Sequence, residues 1–524
     1  MRYPLESTIE SNEQKFTPAE LWVLLAAILA SSMSFIDSSA LNVALPSIQS
    51  SLGASATQLL WVINANTLML ASLILVGGSL GDKLGRKRVF MTGISISILA
   101  SLACSLAPTI QWLIVARIFQ GIGGALLVPG SLSIIAAMVA PERMGKAIGT
   151  WSAITTLILI VGPIMGGIFA DLGFWRGVFI INIPLGIFAL VSLIAKVGES
   201  RNTTSSSKID VPGAILITIS LAGLAYGFTS APDFGFANPR VFLPLAVGAL
   251  ALPVFLWVES RTENAMMPLH LFKSRTFSGT NLLTFFLYSS LSVFSFFLTL
   301  NLIQVQGYTT TQAGLAIMPF VIFLTLLSRW AGGLVDKVGP RLPLIIGPAL
   351  TGFGFLWISF SGVTRGPIDY WTAYLPGVIL FGIGMGLTVA PLSTSVMGSV
   401  GKSFSGVASG INNAISRVGS VLAIAILGTF AIVIFTNALA DNTNALNLPS
   451  PLQASLMQEA SKLAGAEVPI AATNVESQGI QAAIHQSYAS TFRVIMLICA
   501  SLAWLSALIS SLMIESRLFR QETG

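Results

Sequence analysis

GGSLGDKLGRKR at residues 77–88 returns, shortened and altered, as GGLVDKVGPR at 332–341. The acids of the two copies, Asp82 and Asp336, lie 254 residues apart. A second pair of stretches, GIGGALLVPG at 121–130 and GIGMGLTVAP at 382–391, is 261 residues apart. Two offsets that nearly agree mark an internal repeat spanning about half the chain. Each copy of the first stretch leaves an apolar run through glycines, an acid and several bases. That is the composition of a tight turn that emerges from a greasy environment into water.

The rest of the chain fits such an environment. Of its 524 residues, 54% are hydrophobic and 9% charged. A soluble domain carries about a quarter charged residues, so a water-facing surface of this size is excluded. A bilayer-crossing helix needs roughly 20 mostly apolar residues. Fourteen runs meet this, at 21–45, 59–80, 89–108, 112–138, 147–170, 177–196, 211–230, 241–258, 278–303, 312–335, 342–362, 372–396, 407–437 and 490–513. The run from Leu21 is a full span rather than a cleaved signal. The repeat relates spans 1–6 to spans 9–14 and leaves spans 7 and 8 as an inserted pair.

The basic residues orient these spans. With both termini cytoplasmic, 19 of the 27 lysines and arginines fall inside and 5 outside. The remaining three are Arg117, Arg329 and Arg417, in or at the ends of spans. Such a bias is a topology signal, so the net charge of +6 is not a nucleic-acid footprint. Two cysteines and two histidines exclude a disulfide framework and make a metal site improbable. No nucleophile or cofactor cluster marks an enzyme, and no cofactor is expected. Arg329 and Arg417 read as arginines that snorkel to the membrane edge.

Asp37 is the single acid placed deep inside a span, where an ionisable group is costly and functional by default. Ser34, Ser38 and Asn42 are the neighbours available to hold it. Arg117 lies at a similar depth in span 4, so the two meet if their helices adjoin. Gln120, one turn beyond Arg117, and Asn66 in span 2 are assigned to a substrate cavity. In the turn after span 2, Gly81, Asp82, Gly85, Arg86 and Lys87, with Asp336 and Arg341 of its repeat, are read as a gating loop whose bases engage the opposite half. In VGPIMGG, Gly162 and Gly166 are spaced for close helix approach, Pro163 permits a kink, and Gly167 extends the small-residue face. The long loop 438–489 contains an amphipathic stretch. It is read as a passive connection, or as a lid or docking surface for an envelope partner.

FIDSSALNVALP at 35–46, LGDKLGRKR at 80–88, IVARIFQGIGGALLVPG at 114–130, VGPIMGGIFA at 161–170 and FWRGVFIINIPLG at 174–186 together carry a resemblance. The chain resembles the fourteen-span drug:proton antiporter branch of the major facilitator superfamily. The resemblance implies an all-α membrane protein with two six-helix bundles and two inserted helices. The expected parts are 1–200, 201–277 and 278–524. It implies export of lipophilic or cationic small molecules from the cell through the inner membrane, by alternating access driven by the proton gradient. Asp37 and Arg117 would serve coupling, Asp82 and Arg86 gating, and Gly162, Pro163, Gly166 and Gly167 export direction. Acids inside the second-half spans, which some dication exporters of the family carry, are missing here, and Asn66 stands where the family often has an aromatic residue. A dedicated exporter of one endogenous lipid or metabolite is the alternative, and an uptake symporter a weaker one.

Overall fold

The computed structural model describes residues 16–199, 210–262, 265–401, 404–444, 446, 448–469 and 472–516. Within its helices, the side chains at 82, 141, 142, 145, 156, 159, 160, 196, 329 and 336 are outside this description. The described chain is helical, with no strand. A bilayer leaves little choice, because a helix satisfies every backbone polar group within its own segment.

The first group of helices comprises α1 (Pro18–Leu52), α2 (Ala56–Leu84), α3 (Arg86–Ser105), α4 (Ile110–Met138), α5 (Pro141–Asp171), the single turn α6 (Gly177–Ile180) and α7 (Asn182–Lys196). A hairpin of α8 (Val211–Phe234) and α9 (Pro239–Arg261) follows. The second group comprises α10 (Arg275–Leu300), the short α11 (Thr310–Ala316), α12 (Met318–Val338), α13 (Arg341–Ser359), the single turn α14 (Tyr370–Ala373), α15 (Leu375–Gly398), α16 (Ser405–Asn444), α17 (Ser450–Glu459) and α18 (Asn474–Met513). Thirteen helices among the described residues are long and apolar enough to cross a membrane. The 31-residue α5 is not counted with these thirteen, and its Val161–Asp171 portion is a shorter apolar helix.

Helix ends follow local chemistry. Thr17, Ser55, Thr309 and Thr473 each cap a helix start in a reciprocal arrangement with Glu20, Gln58, Gln312 and Glu476, which satisfies backbone N–H groups that have no partner in the first turn. The two repeated turns break their helices in the same way. Gly85 has φ 110° and Gly339 has φ 78°, and these positions are also 254 residues apart. Only glycine enters that region without a steric penalty.

Several helices outrun the apolar runs that foretold them. The first continues to Leu52, where Gly53 closes it with φ 60°. The thirteenth span continues to Asn444, and the last begins at Asn474. The expected sixth span is divided at Ile181 into α6 and α7. The stretch after α10 continues as a π-helix, Asn301–Val305. Hydropathy marks the lipid-facing part of a helix, whereas hydrogen bonding carries it on into water.

The end of the bundle holding the α1–α2 turn and α17 is here called distal, and the end holding the turns at Gly85 and Gly339 proximal. One buried core runs through the distal part of the first group and the second group, including Leu45, Leu60, Phe179, Phe294, Phe381 and Phe435. The proximal part of the first group has a separate core of Val23, Leu24, Phe90, Ile94, Ile135 and Leu193. Polar contacts join the groups at the distal end. Asp171 accepts from the backbone amides of Thr310 (2.8 Å) and Thr311 (2.9 Å). Gln304 donates to the Gln49 side-chain oxygen at 2.8 Å.

Candidate functional site

Asp37 and Arg117 meet. Arg117 Nη1 stands 2.5 Å from Asp37 Oδ2, and relative exposures of 2% and 5% place the pair out of contact with bulk solvent. Arg117 Nε donates to the Val62 carbonyl at 3.0 Å. Gln120 completes a triangle, donating to Asp37 Oδ1 at 2.9 Å and accepting from Arg117 Nη1 at 2.7 Å. The amide of Gln120 also reaches Ser101 Oγ at 3.1 Å. Burying two charges costs several kcal/mol per ion unless the geometry is good and the remaining polar atoms are bonded. Here α1, α2, α3 and α4 all supply partners, so the carboxylate is satisfied on both oxygens.

Asp37 and Gln120 of the triangle line a small cavity. Asn66, Ser97, Ser101 and Asn182 line it beside Asp37 and Gln120. Asn66 and Gln120 therefore share the chamber with the charged pair. Asn182 is 1% exposed, and neither polar atom of its side chain has a partner, so the chamber suits bound water or a polar ligand atom. Asn42 stands apart. Its amide donates to the Ser38 carbonyl at 3.2 Å rather than to Asp37.

The proximal turns hold to their own groups. Lys87 Nζ donates to the Val197 carbonyl at 2.5 Å, and its backbone N–H to Glu199 at 3.1 Å. Arg88 lies 3.7 Å from the Glu199 carboxylate. Arg341 donates to the Ser511 carbonyl in α18. These bases were expected to engage the opposite half. In this structure, Lys87 and Arg88 bind the segment that follows α7, because α3 begins directly beside the end of α7. Gly81 and Gly85 shape the turn, and Arg86 is engaged rather than free. The side chains of Asp82 and Asp336 are outside the described residues.

The small residues of α5 form a seam. A Cβ on Gly162 would sit 1.9 Å from Ser39 Oγ, and one on Gly166 2.3 Å from the Ala40 carbonyl oxygen, so α5 lies directly against α1. A Cβ on Gly167 would fall 2.6 Å from the Thr311 Cα, and one on Gly314 2.6 Å from the Pro163 carbonyl oxygen. The stretch 162–167 thus joins its own group and the second group at once.

Sequence reasoning missed two contacts. Glu20 is 4% exposed and pairs with Arg143 at 2.9 Å, tying the start of α1 to the start of α5. Its signal was the Thr17-x-x-Glu20 spacing of a capping box. Gln49 donates to the Lys462 carbonyl at 3.1 Å, seating the segment after α17 on the distal end. Leu452 and Leu456 of α17 and Leu463 of that segment are buried, and no local pattern foretells where they dock.

The comparisons with known proteins agree with this architecture. The family model described as Major Facilitator Superfamily matches residues 27–424. The chain is 32% identical over 445 residues to the "Multidrug resistance protein Stp" of Mycobacterium tuberculosis (strain CDC 1551 / Oshkosh), covering 84% of this chain and 81% of that protein. It is 28% identical over 493 residues to the "Tetracenomycin C resistance and export protein" of Streptomyces glaucescens, covering 93% and 90%. Among solved structures, a bacterial homolog of the human lysosomal transporter Spinster, in its inward-facing and unoccupied conformation, superposes with a TM-score of 0.66 at 18% identity, covering 97% of this chain and 100% of that one. This all-helical, multi-pass membrane protein is a transporter and not an enzyme, and it belongs to the major facilitator superfamily.

Proposed function

We propose that the chain exports lipophilic or cationic drug-like molecules from the cell in exchange for protons, by alternating access of a central cavity. The observation that carries this reading is the buried Asp37–Arg117–Gln120 triangle on the wall of a polar chamber. A proton taken up by Asp37 would remove the charge that holds Arg117, while Gln120 could stay bonded, and so link proton occupancy to helix packing. The names of the relatives, one a multidrug resistance protein and one an export protein, support the direction of transport.

In this reading all fourteen spans lie in the inner membrane with both termini cytoplasmic, so the proximal end faces the cytoplasm. Residues 1–200 and 278–524 form the two six-span units, and 201–277 the inserted pair. The distal contacts of Asp171, Gln49 and Gly167 would close the outer side. The turns at Gly85 and Gly339, with Asp82, Arg86, Lys87, Asp336 and Arg341, would close the inner side in the alternate state. The stretch Gly162, Pro163, Gly166 and Gly167 would be the hinge between them. The partners are the transported molecule, protons and lipid, and 438–489 is the stretch where an envelope protein would dock. A dedicated exporter of one product is the second reading, favoured by the naming of one relative after a single exported compound.

Inverted membrane vesicles test the proposal. Addition of a cationic dye should drive proton movement with the parent chain, and Asp37→Asn should abolish it. Full coupling in the mutant would remove Asp37 from the path, and silence of every compound with the parent would favour the dedicated exporter.

A further inference from the structure

The second group holds a small cavity of its own between α10, α15 and α16. Tyr288, Ser393, Ser409, Asn412, Asn413 and Ser416 line it, with Leu392 and Val396 as its apolar floor. Most of its donors are already directed elsewhere. Asn412 donates to Asn281 (3.1 Å) and Thr284 (2.7 Å). Asn413 donates to the Ser409 carbonyl, Ser416 to the Asn413 carbonyl and Ser393 to the Val389 carbonyl.

Arg417 follows Ser416 in α16, one turn beyond Asn413, and so borders the cavity wall through these two neighbours without itself being a lining residue. Its sequence position suits an arginine that snorkels to the membrane edge, but its surroundings do not. The Nε atom is buried and has no hydrogen-bond partner. Among the described residues, no acid pairs with Arg417. The helix face that carries it turns toward α10, since Ser420, one turn on, accepts from Ser292 at 2.6 Å. A guanidinium without a counter-charge in such surroundings is costly to keep, and its planar fork of donors matches a carboxylate. The first group, by contrast, neutralises its own buried arginine with Asp37.

We propose that Arg417, with Tyr288, Asn413 and Ser416, forms a subsite that takes an anionic oxygen, a carboxylate or phenolate, on the transported molecule. This rests on the export reading and narrows it. Of the classes that reading admits, the second-group wall favours lipophilic acids over cations, because a monocation placed there would meet an unbalanced positive charge.

The test uses the purified full-length chain and three fluorescent probes of one body: pyrenebutyrate, its methyl ester and the corresponding pyrenebutyl ammonium. The parent should bind the carboxylate about tenfold or more tighter than the other two. Arg417→Gln should bring the three to within about twofold by weakening the acid alone, and Arg417→Lys should keep part of the preference. Arg417→Gln should also leave the thermal unfolding midpoint equal or higher, since it removes an unpaired charge, whereas a structural arginine would lower it. An unchanged preference in Arg417→Gln, or no preference in the parent, overturns the subsite. Vesicle transport separates the two readings. Transport without an Arg417-dependent preference sinks the subsite and leaves export standing. The preference without transport of any probe sinks export and leaves the subsite.

Discussion

Arg117 Nη1 touches Asp37 Oδ2 at 2.5 Å across two helices whose residues are 80 positions apart in sequence. The contact lies in a nearly dry interior, so the two residues depend on each other. Arg117→Ala leaves Asp37 with Gln120 but without its counter-charge, at a cost of roughly 3–5 kcal/mol. Adding Asp37→Asn to that variant should recover a large part of the loss. Unfolding of the two single variants and the double variant in detergent measures the coupling, and additive losses would show that the pair contributes nothing of its own.

Gly166 faces the Ala40 backbone and Gly167 the Thr311 backbone. Backbone cannot step aside as a flexible side chain can. Alanine at either position should destabilise the chain by about 1–3 kcal/mol. The two should differ in a second respect. Gly167→Ala lies between the groups and should hold the distal end apart. With a cysteine at Ser34 in the chamber, a membrane-impermeant thiol reagent should label that variant faster from the distal side. Cys104 and Cys499 are both buried and free, which keeps the background low.

Asp171 serves as a cap for α11 although it belongs to α5. Asp171→Ala should cost about 1–2 kcal/mol, as loss of a helix cap does. Asp171→Asn keeps an accepting oxygen and should cost less. The same distal labelling assay should rank the variants in that order, and equal labelling of all three would refute the capping role.

At the repeated turns, Gly339→Ala should be worse than Gly85→Ala. Both require a left-handed backbone, but the added carbon at 339 meets the Ser516 carbonyl oxygen at 1.8 Å, whereas at 85 it meets the movable Glu199 carboxylate at 2.6 Å. Expression yield and thermal midpoints of the two variants decide the order.

Much of the fold was legible because the solvent is lipid. A helix is nearly the only answer to a long apolar run, and charge bias and the 254-residue repeat then limit how such runs are arranged. Asp37 and Arg117 were legible for a related reason. Charges are so scarce inside the spans that two at similar depth select each other. Gln120 was harder to read, because its bridging role depends on how α4 is rotated. In a helix that is apolar on nearly every side, periodicity does not set rotation. Arg417 was misread for the same reason: the lack of acids in the second-half spans is visible in sequence, but the rotation that turns its face toward α10 rather than the membrane edge is not. Lys87 was expected to reach across and instead binds beside α7, a choice made by tertiary packing alone. The docked position of Leu452 and Leu456 was set by a surface that exists only after the bundle has formed.

The seam positions Gly166, Gly167 and Gly314 admit no added carbon without backbone movement, whereas the two cavities are walled by side chains. Sequence change is therefore channelled. An exchange among serine, asparagine and threonine on a cavity wall alters what the protein can hold and leaves the joint between its groups intact. An exchange in the seam alters how the groups meet, whatever the cargo. Descendants of such a chain are free to diverge in cargo while the way they close stays fixed.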